Sequence, residues 1–293
     1  MRVASAPGPV ERAVLAELAP VFSVREVCAG GATLRVLEGG AGRPLILVHG
    51  RGNAASTWFP LLPELARHHR VLAVDLPGFG ASSAPPSPRV HDARSAVAFF
   101  TDPLEAWLLR EGLVGASIVG HSLGGRVALE LALRGAARPD RLVLIGSMGL
   151  GPEASLVSRL FFTIGPERLA RALGPRAFHK ISHHADDALG RRLDALGFEL
   201  YAKEGGRADA ARAFRGINPL LGPVPHVRAR LPEIEVETLV VWGEHDEVFP
   251  APIAIAAAAA LPRGRLHLAP LGHSPHLEDP AAVLPVLLGF LRE

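Results

Sequence analysis

The sequence is poor in cysteine, lysine and long hydrophobic runs. Its only cysteine, Cys28, excludes a disulfide within the chain. Cys28 lies in a segment of alternating polarity, where we expect it to fill a core position. No stretch approaches the roughly 18 apolar residues that a membrane-spanning helix needs, and no basic segment followed by an apolar run occurs near residue 1. We therefore expect a cytoplasmic protein without a membrane span.

Aromatic residues are also scarce, at 5% of the chain, and nearly all of the positive charge comes from dispersed arginines. Proteins that bind nucleic acids concentrate basic residues on one face, so this composition gives no reason to expect a nucleic-acid partner. Residues His183, His184, Asp186 and Asp187 are close in sequence but lack the spacing of metal ligands. We expect no metal and no cofactor, and the sequence carries no signal for an oligomeric state.

The chain does contain enough apolar residues, 48% against 20% charged, to bury a sizeable core. Short apolar runs predict strands buried on both faces, and they alternate with stretches of helical periodicity. Two alternating segments joined by Gly30 and Gly31 predict an antiparallel hairpin before them. Strands that alternate with helices imply βαβ units, so we expect an α/β fold with a mostly parallel sheet.

The same patterns give the boundaries of the elements. The predicted strands are Val24–Cys28, Thr33–Glu38, Leu45–Val48, Val71–Val74, Ala116–Val119, Leu142–Ile145, Leu239–Trp242 and Leu266–Leu268. The predicted helices are Val10–Ala19, Trp58–His68, Asp92–Glu111 with a kink or break at Pro103, Arg126–Arg134, Ala251–Leu261 and Asp279–Leu291. Between residues 151 and 225 helical patterns occur without a good strand. We therefore predict a core domain of residues 1–150 and 226–293, and a helical insertion at 151–225.

A glycine-bracketed serine follows the strand predicted at Ala116–Val119. A serine hydroxyl becomes a nucleophile when a base removes its proton and when the backbone holds it at a sharp, exposed turn. Gly120 and Gly124 suit such a turn, because side chains at these positions would collide there. Gly-x-Ser-x-Gly between a strand and a helix is a nucleophile elbow, which makes Ser122 the candidate nucleophile.

Two later loops supply candidates for an acid and a base. Glu244, Asp246 and Glu247 follow a predicted strand, and loops at the carboxyl ends of parallel strands open onto the ligand-binding edge. A carboxylate there can accept the Nδ1 proton of a histidine and stabilise the imidazolium that forms. The loop after the last strand offers His273 and His276, and histidine suits proton transfer at neutral pH. Spacing alone does not decide among these candidates.

The loop at residues 49–52, His-Gly-Arg-Gly, follows a buried strand and precedes a helical stretch. Backbone N–H groups at such a turn can stabilise an oxyanion, and the loss of one such donor costs about 10²–10³ in rate. A second donor is expected from the N–H of Leu123 at the start of the elbow helix, where the helix dipole adds to its effect. The chain order is then serine, acid, histidine, the order that accompanies a nucleophile elbow.

Five segments together resemble the α/β-hydrolase superfamily, in particular its capped esterase, C–C hydrolase and dehalogenase-like branch. They are HGRGN (49–53), DLPGFG (75–80), GHSLGG (120–125), WGEHDEVFP (242–250) and LGHSPHLEDP (271–280). The resemblance runs from about residue 30 to the end of the chain. It implies an α/β-hydrolase fold with a mostly parallel eight-stranded sheet flanked by helices, in which the first strands are antiparallel. It also implies a helical cap inserted after strand six, which residues 151–225 fit.

The resemblance also implies roles for individual residues. It places the nucleophile at Ser122, the acid at Asp246 and the base at His273. In that register the oxyanion donors are the backbone N–H groups of Arg51 and Leu123.

Other positions qualify the resemblance. Gly52 is the second choice for the donor assigned to Arg51, and Asp75 matches a structural position of the family. Serine at position 122 disfavours the dehalogenases and epoxide hydrolases that use an aspartate nucleophile. The HGGG run of hormone-sensitive-lipase-like enzymes is absent. The longer glycine–proline run typical of meta-cleavage product hydrolases is absent too, which lowers the rank of a C–C hydrolase.

These observations predict a serine hydrolase that cleaves a carboxylic ester through an acyl-enzyme. A C–C bond (meta-cleavage product) hydrolase, a lactonase, a thioesterase and a perhydrolase could use the same triad and remain alternatives. A ligand receptor of the same fold is a further alternative, disfavoured because candidates for all triad roles are present. Five of the twelve phenylalanines lie in the insertion. They suggest a small-molecule ester substrate with an apolar group, but we favour the interpretation that they form a core within the insertion.

Overall fold

The fold is organised around one sheet of eight strands. The computed structural model describes residues 6–85, 90–152, 154, 156–165, 172, 174–175, 187–202 and 207–293. The strands are β1 (Phe22–Ala29), β2 (Ala32–Gly39), β3 (Pro44–Val48), β4 (Arg70–Val74), β5 (Ser117–His121), β6 (Arg141–Ile145), β7 (Glu237–Gly243) and β8 (Gly264–Ala269). Their order across the sheet is β1-β2-β4-β3-β5-β6-β7-β8. β1 pairs antiparallel with β2 and β2 with β4, and the other neighbours are parallel, as predicted.

Helices cover both faces of this sheet. Those described are α1 (Pro9–Leu18), α2 (Leu62–Ala66), α3 (Ala93–Arg110), α4 (Leu123–Arg134), α5 (Leu156–Ile164), α6 (Ala188–Ala202), α7 (Arg207–Ile217), α8 (Pro252–Ala260), α9 (Pro275–Glu278) and α10 (Pro280–Arg292). Short 3₁₀ segments occur at Ala55–Trp58 and Arg228–Glu233. In the part of the chain that the structure describes, no helix combines the length and apolar character needed to cross a membrane.

The sheet is buried on both faces, which explains the continuous apolar runs in its strands. Ile46 and Val48 of β3 join the apolar core that includes α3, α4 and α8, whereas Leu45 and Leu47 join the core that includes α1, α2 and α10. Because β3 and β5 to β8 are parallel, the loops that follow β3, β5, β7 and β8 leave the same edge of the sheet. The loops that hold the candidate site residues are therefore neighbours in space.

Two predicted helices differ in the structure. The helix expected at Trp58–His68 is replaced by the 3₁₀ segment and the short α2, because prolines at 60 and 63 suit only the first turn of a helix. Of the kink or break expected at Pro103, the break does not occur, because α3 is one continuous helix. Asp92 and Ser95 form a capping box at its start, and its apolar side is buried, which compensates for the hydrogen bond that proline cannot make.

The prediction that Cys28 fills the core is wrong. Its side chain is exposed, whereas Val27 and Ala29 on either side are buried. Successive side chains of a strand point to opposite faces, and in β1 the cysteine falls on the outer face.

A buried charge cluster ties α1 to the loop after β3. The Arg35 Nε atom lies 2.6 Å from Asp75 Oδ2, and its Nη2 donates to Glu11 Oε1 at 2.5 Å. Asp75 also accepts hydrogen bonds from the backbone N–H groups of Ala55 and Ala81, both at 2.7 Å. All three charged side chains are almost completely buried. This arrangement agrees with the structural position assigned to Asp75 and fixes the start of the 3₁₀ segment after β3.

Replacing Arg35 by methionine should lower the free energy of unfolding by about 3–5 kcal/mol, because two buried carboxylates lose their cation. The matched control is Arg43→Met, which removes an exposed arginine 3.7 Å from Asp140 and should change stability by less than about 0.5 kcal/mol. Urea unfolding measures both variants. Equal losses of stability in the two variants would contradict the structural role of the cluster.

Candidate active site

Ser122 lies at a sharp turn between β5 and α4. Its φ of 52° is in the left-handed region, which is unfavourable for a residue with a side chain. A Cβ added to Gly120 would lie 2.5 Å from the Gly124 carbonyl oxygen, and one added to Gly124 would lie 2.1 Å from the Val48 carbonyl oxygen. Glycine is therefore required on both sides of the serine, as the sequence predicted. The turn leaves Ser122 partly exposed at the start of a helix.

The structure brings Ser122, His273 and Asp246 into one hydrogen-bonded row. His273 Nε2 is 3.1 Å from Ser122 Oγ, and His273 Nδ1 is 2.8 Å from Asp246 Oδ2. The Asp246 side chain is fully buried, whereas that of His273 is 20% exposed. In this arrangement Nδ1–H donates to the carboxylate, and Nε2 can accept the serine proton. The three residues expected from the resemblance are therefore in mutual contact.

The rival residues lie elsewhere. Glu244 and Glu247 are exposed, whereas Asp246 Oδ1 accepts the backbone N–H groups of Val248 and Phe249 at 2.8 and 2.9 Å. These bonds orient the carboxylate toward His273 and stabilise its charged form. The other histidine candidate, His276, is buried, with its ring centroid 4.7 Å from that of Trp58.

Glu278 is a site residue that the sequence analysis missed. Its Oε2 accepts the N–H of Gly272 at 2.5 Å, and its Oε1 accepts the N–H of Ser274 at 2.8 Å. One carboxylate thus accepts hydrogen bonds from the backbone on both sides of His273. A carboxylate five residues after a histidine does not form a recognised sequence motif. The side chain of Glu278 reaches the loop only because the chain turns tightly into α9.

His121 supports the same loop from behind. Its Nε2 is 3.3 Å from the His273 carbonyl oxygen and 3.3 Å from Ser274 Oγ. Burial, together with the nearby His276 and His273, holds the pKa of His121 well below its ordinary value of 6.5. The ring is therefore neutral at physiological pH.

The predicted oxyanion loop passes directly beside the nucleophile. A Cβ added to Gly50 would lie 3.3 Å from Ser122 Cβ. The loop is fixed by His49, whose Nε2 accepts the backbone N–H of Leu76 at 2.9 Å. Leu123 is the first residue of α4, so its N–H belongs to the first turn of that helix. The loop that contains Arg51 therefore lies beside Ser122, and Leu123 follows Ser122 directly in the sequence.

The described residues contain no group of three or more histidine, cysteine or acidic side chains that could hold a metal ion. Three of the four residues that the sequence analysis considered as metal ligands lie outside the described residues: His183, His184 and Asp186.

Comparison with known proteins defines the class to which this fold and site belong. The family described as alpha/beta hydrolase fold matches residues 43–280, and the chain belongs to this family of hydrolases. The 2-hydroxymuconate semialdehyde hydrolase of Pseudomonas sp. (strain CF600) is 30% identical over 280 residues, which cover 92% of this chain and 94% of that protein.

Two other similar proteins have related descriptions. The 2-hydroxy-6-oxo-6-(2'-aminophenyl)hexa-2,4-dienoic acid hydrolase of Metapseudomonas resinovorans is 31% identical, with 91% of this chain and 90% of that protein covered. A solved serine hydrolase involved in carbazole degradation is 28% identical and superposes with a TM-score of 0.72, covering 92% of this chain and 99% of its own.

Removing the carboxylate of Glu278 should slow hydrolysis, because the backbone on either side of His273 loses its anchor. We expect Glu278→Ala to lower kcat by about 10²-fold and Glu278→Gln, which keeps one acceptor, by about tenfold. Glu233→Gln, on an exposed glutamate paired with Arg230, is the matched control. A wild-type kcat in folded Glu278→Ala enzyme would show that the hydrogen bonds between Glu278 and the loop are dispensable.

The neutral state of His121 predicts a pH dependence of stability. Below about pH 6.5 the unfolded chain binds a proton that folded His121 does not, so the free energy of unfolding falls as the pH falls. The slope from one such group is at most about 1.4 kcal/mol per pH unit. Urea unfolding at about pH 7.5 and 5.5 measures how far the free energy of unfolding falls between the two pH values. This fall should be smaller in His121→Gln than in wild type. In the exposed control His245→Gln it should match wild type. Equal slopes in wild type and His121→Gln would contradict this prediction.

Proposed function

We propose that this protein is a serine hydrolase that cleaves a carbon–carbon bond next to a carbonyl group, in substrates of the 2-hydroxy-6-oxo-2,4-dienoate class. The observation that carries the proposal is the combination of the Ser122–His273–Asp246 contacts with two relatives of about 30% identity that carry such names and match along nearly their whole length. Substrate identity comes from those relatives, whereas the chemistry is argued from this site.

The preference for a carboxylic ester in the sequence analysis is not supported by the relatives, which favour the C–C alternative. That preference relied partly on the absence of a longer glycine–proline run. The absence of one short motif is a poor guide to the leaving group.

In the proposed reaction, His273 removes the Ser122 proton as Oγ attacks the carbonyl carbon at position 6. The carbonyl π electrons move to oxygen, and the N–H groups of Arg51 and Leu123 stabilise the oxyanion. Asp246 stabilises the imidazolium of His273 without taking its proton. These steps use only groups of this chain.

The carbon leaving group needs a place for its electrons. When the substrate moves its 2-hydroxyl proton to carbon 5, it becomes a 2-oxo compound conjugated with the remaining double bond. Collapse of the tetrahedral intermediate breaks the bond between carbons 5 and 6, and the electron pair enters this conjugated system as a dienolate. His273 returns its proton to the dienolate. Water, deprotonated by His273, then hydrolyses the acyl-enzyme to a carboxylic acid and free Ser122.

A panel of substrates separates C–C cleavage from other uses of the site. We expect kcat/KM for a 2-hydroxy-6-oxo-2,4-dienoate to exceed that for matched aryl esters, thioesters and lactones by at least about tenfold. A tenfold ratio corresponds to a difference of about 1.4 kcal/mol in transition-state stabilisation. A clear preference for the ester would restore the first expectation and overturn the C–C proposal.

Substitution of Ser122 by alanine should lower turnover of every accepted substrate by about 10⁴-fold or more, because the covalent route is removed. Ser23→Ala, at an exposed serine of β1, is the control and should leave turnover unchanged. Near-normal turnover by Ser122→Ala would reject the assignment of the nucleophile.

A further inference from the structure

The oxyanion loop contains a turn whose central peptide has two accessible orientations. Asn53 N–H donates to the Gly50 carbonyl oxygen at 3.3 Å, which closes a four-residue turn. Gly52 has a φ of +79°, whereas Arg51 is not among the residues of positive φ. This is the pattern of a type II turn. Types I and II differ by a half-rotation of the central peptide, here the one joining Arg51 to Gly52.

Tyr201, the only tyrosine of the chain, contacts this peptide from α6. Its hydroxyl donates to the Arg51 carbonyl oxygen at 2.8 Å. Its ring packs on Gly52, where an added Cβ would lie 2.1 Å from the ring. In a trans peptide the N–H points opposite to the carbonyl, so the N–H of Gly52 is directed away from the tyrosine hydroxyl. The hydrogen bond therefore selects one of the two orientations.

The helix that carries Tyr201 is itself anchored to the core. Glu199, two residues earlier, accepts the N–H groups of Val10 and Glu11 at 2.8 and 3.0 Å, and so caps the start of α1. A carboxylate is favoured there by the dipole of α1. The segment of α6 that carries Tyr201 is thus held against α1 by a contact made two residues before the tyrosine.

The Arg51 side chain meets two more helices of the insertion. Its guanidinium carbon lies 5.0 Å from the ring centre of Phe162 on α5 and 4.9 Å from that of Phe214 on α7. Cation–π contacts at these distances are attractive. Both the backbone and the side chain of the predicted oxyanion residue are therefore held by the insertion.

We propose that Tyr201 is a positioning residue for the oxyanion site, which holds the Arg51–Gly52 peptide in the orientation that presents its N–H, that of Gly52, to the oxyanion formed on Ser122. This inference rests on the proposed serine chemistry but not on the identity of the substrate. A reversed peptide would exchange a donor for a carbonyl acceptor at this turn, which would repel a developing negative charge. The oxyanion site is thus complete only when α6 is seated on the core.

The test compares two inhibitors of the same shape on wild type and Tyr201→Phe. An aryl trifluoromethyl ketone accepts Ser122 Oγ and forms an oxyanion, whereas the corresponding trifluoromethyl alcohol cannot. In Tyr201→Phe we expect the inhibition constant of the ketone to rise about tenfold to a hundredfold, and kcat for 4-nitrophenyl acetate to fall by the same factor. The inhibition constant of the alcohol and KM should stay within about twofold, because neither reports on the oxyanion.

The matched control is Glu17→Gln, which removes a 2.6 Å salt bridge to Arg192 between the same two helices, α1 and α6, without touching the loop. It should bind both inhibitors like wild type, and thermal unfolding verifies that both variants are folded. Equal ketone binding by wild type and Tyr201→Phe would overturn the inference, and so would equal weakening of ketone and alcohol. A wild-type enzyme that forms no adduct with the ketone at Ser122 would instead refute the serine chemistry, whatever Tyr201 does.

Discussion

A buried carboxylate sets the geometry on which the rest of the site depends. The side chain of Asp246 is fully buried, and its two oxygens are divided between two backbone N–H groups and the Nδ1 of His273. A carboxylate removed from water is costly unless its hydrogen bonds are made, and here the histidine ring supplies one of them. The same bond fixes which nitrogen of His273 faces Ser122, so in the proposed mechanism the serine is activated through the burial of an acid in a different loop.

The loop that we propose as the oxyanion site is supported by a second set of buried charges. Asp75 binds the backbone at Ala55, and Arg35 joins it to Glu11 of α1. Helix α1 is in turn capped by Glu199 of α6. Residues far apart in the sequence are thus joined by these contacts. In our account the loops after β5 and β8 supply the nucleophile and the base, and α6 completes the orientation of the proposed oxyanion loop.

Much of this arrangement could be predicted from the sequence, because the elements that matter carry local signals. Buried parallel strands appear as continuous apolar runs, and a nucleophile elbow needs glycine wherever a Cβ would strike the backbone, as at Gly120 and Gly124. The acid and base needed the resemblance in addition, because exposed and buried members of one loop, such as Glu244 and Asp246, are alike in sequence.

The rest could not be predicted, because it depends on contacts between distant segments. Tyr201 lies within an ordinary helical pattern, and Glu278 lies between the last predicted strand and the last predicted helix. Only the tertiary structure places their polar atoms on the backbone beside His273 and Arg51. The outward direction of Cys28 depends on which face of β1 meets the core. Alternation of side chains with a period of two does not tell which of the two faces that is. The leaving group of the substrate cannot be identified from the triad, since a Ser-His-Asp triad can serve oxygen, sulfur and carbon leaving groups.

The central claim is that Ser122 is activated by a histidine whose orientation Asp246 fixes, and covalent labelling tests it without a substrate. An alkyl fluorophosphonate should add to the peptide that contains Ser122, detected by mass spectrometry, and folded Asp246→Asn enzyme should be labelled at least about 10²-fold more slowly, because an amide at this position favours the wrong histidine tautomer. Labelling of another residue, or no labelling of folded wild-type protein, would contradict the account, as would equal rates in the two proteins.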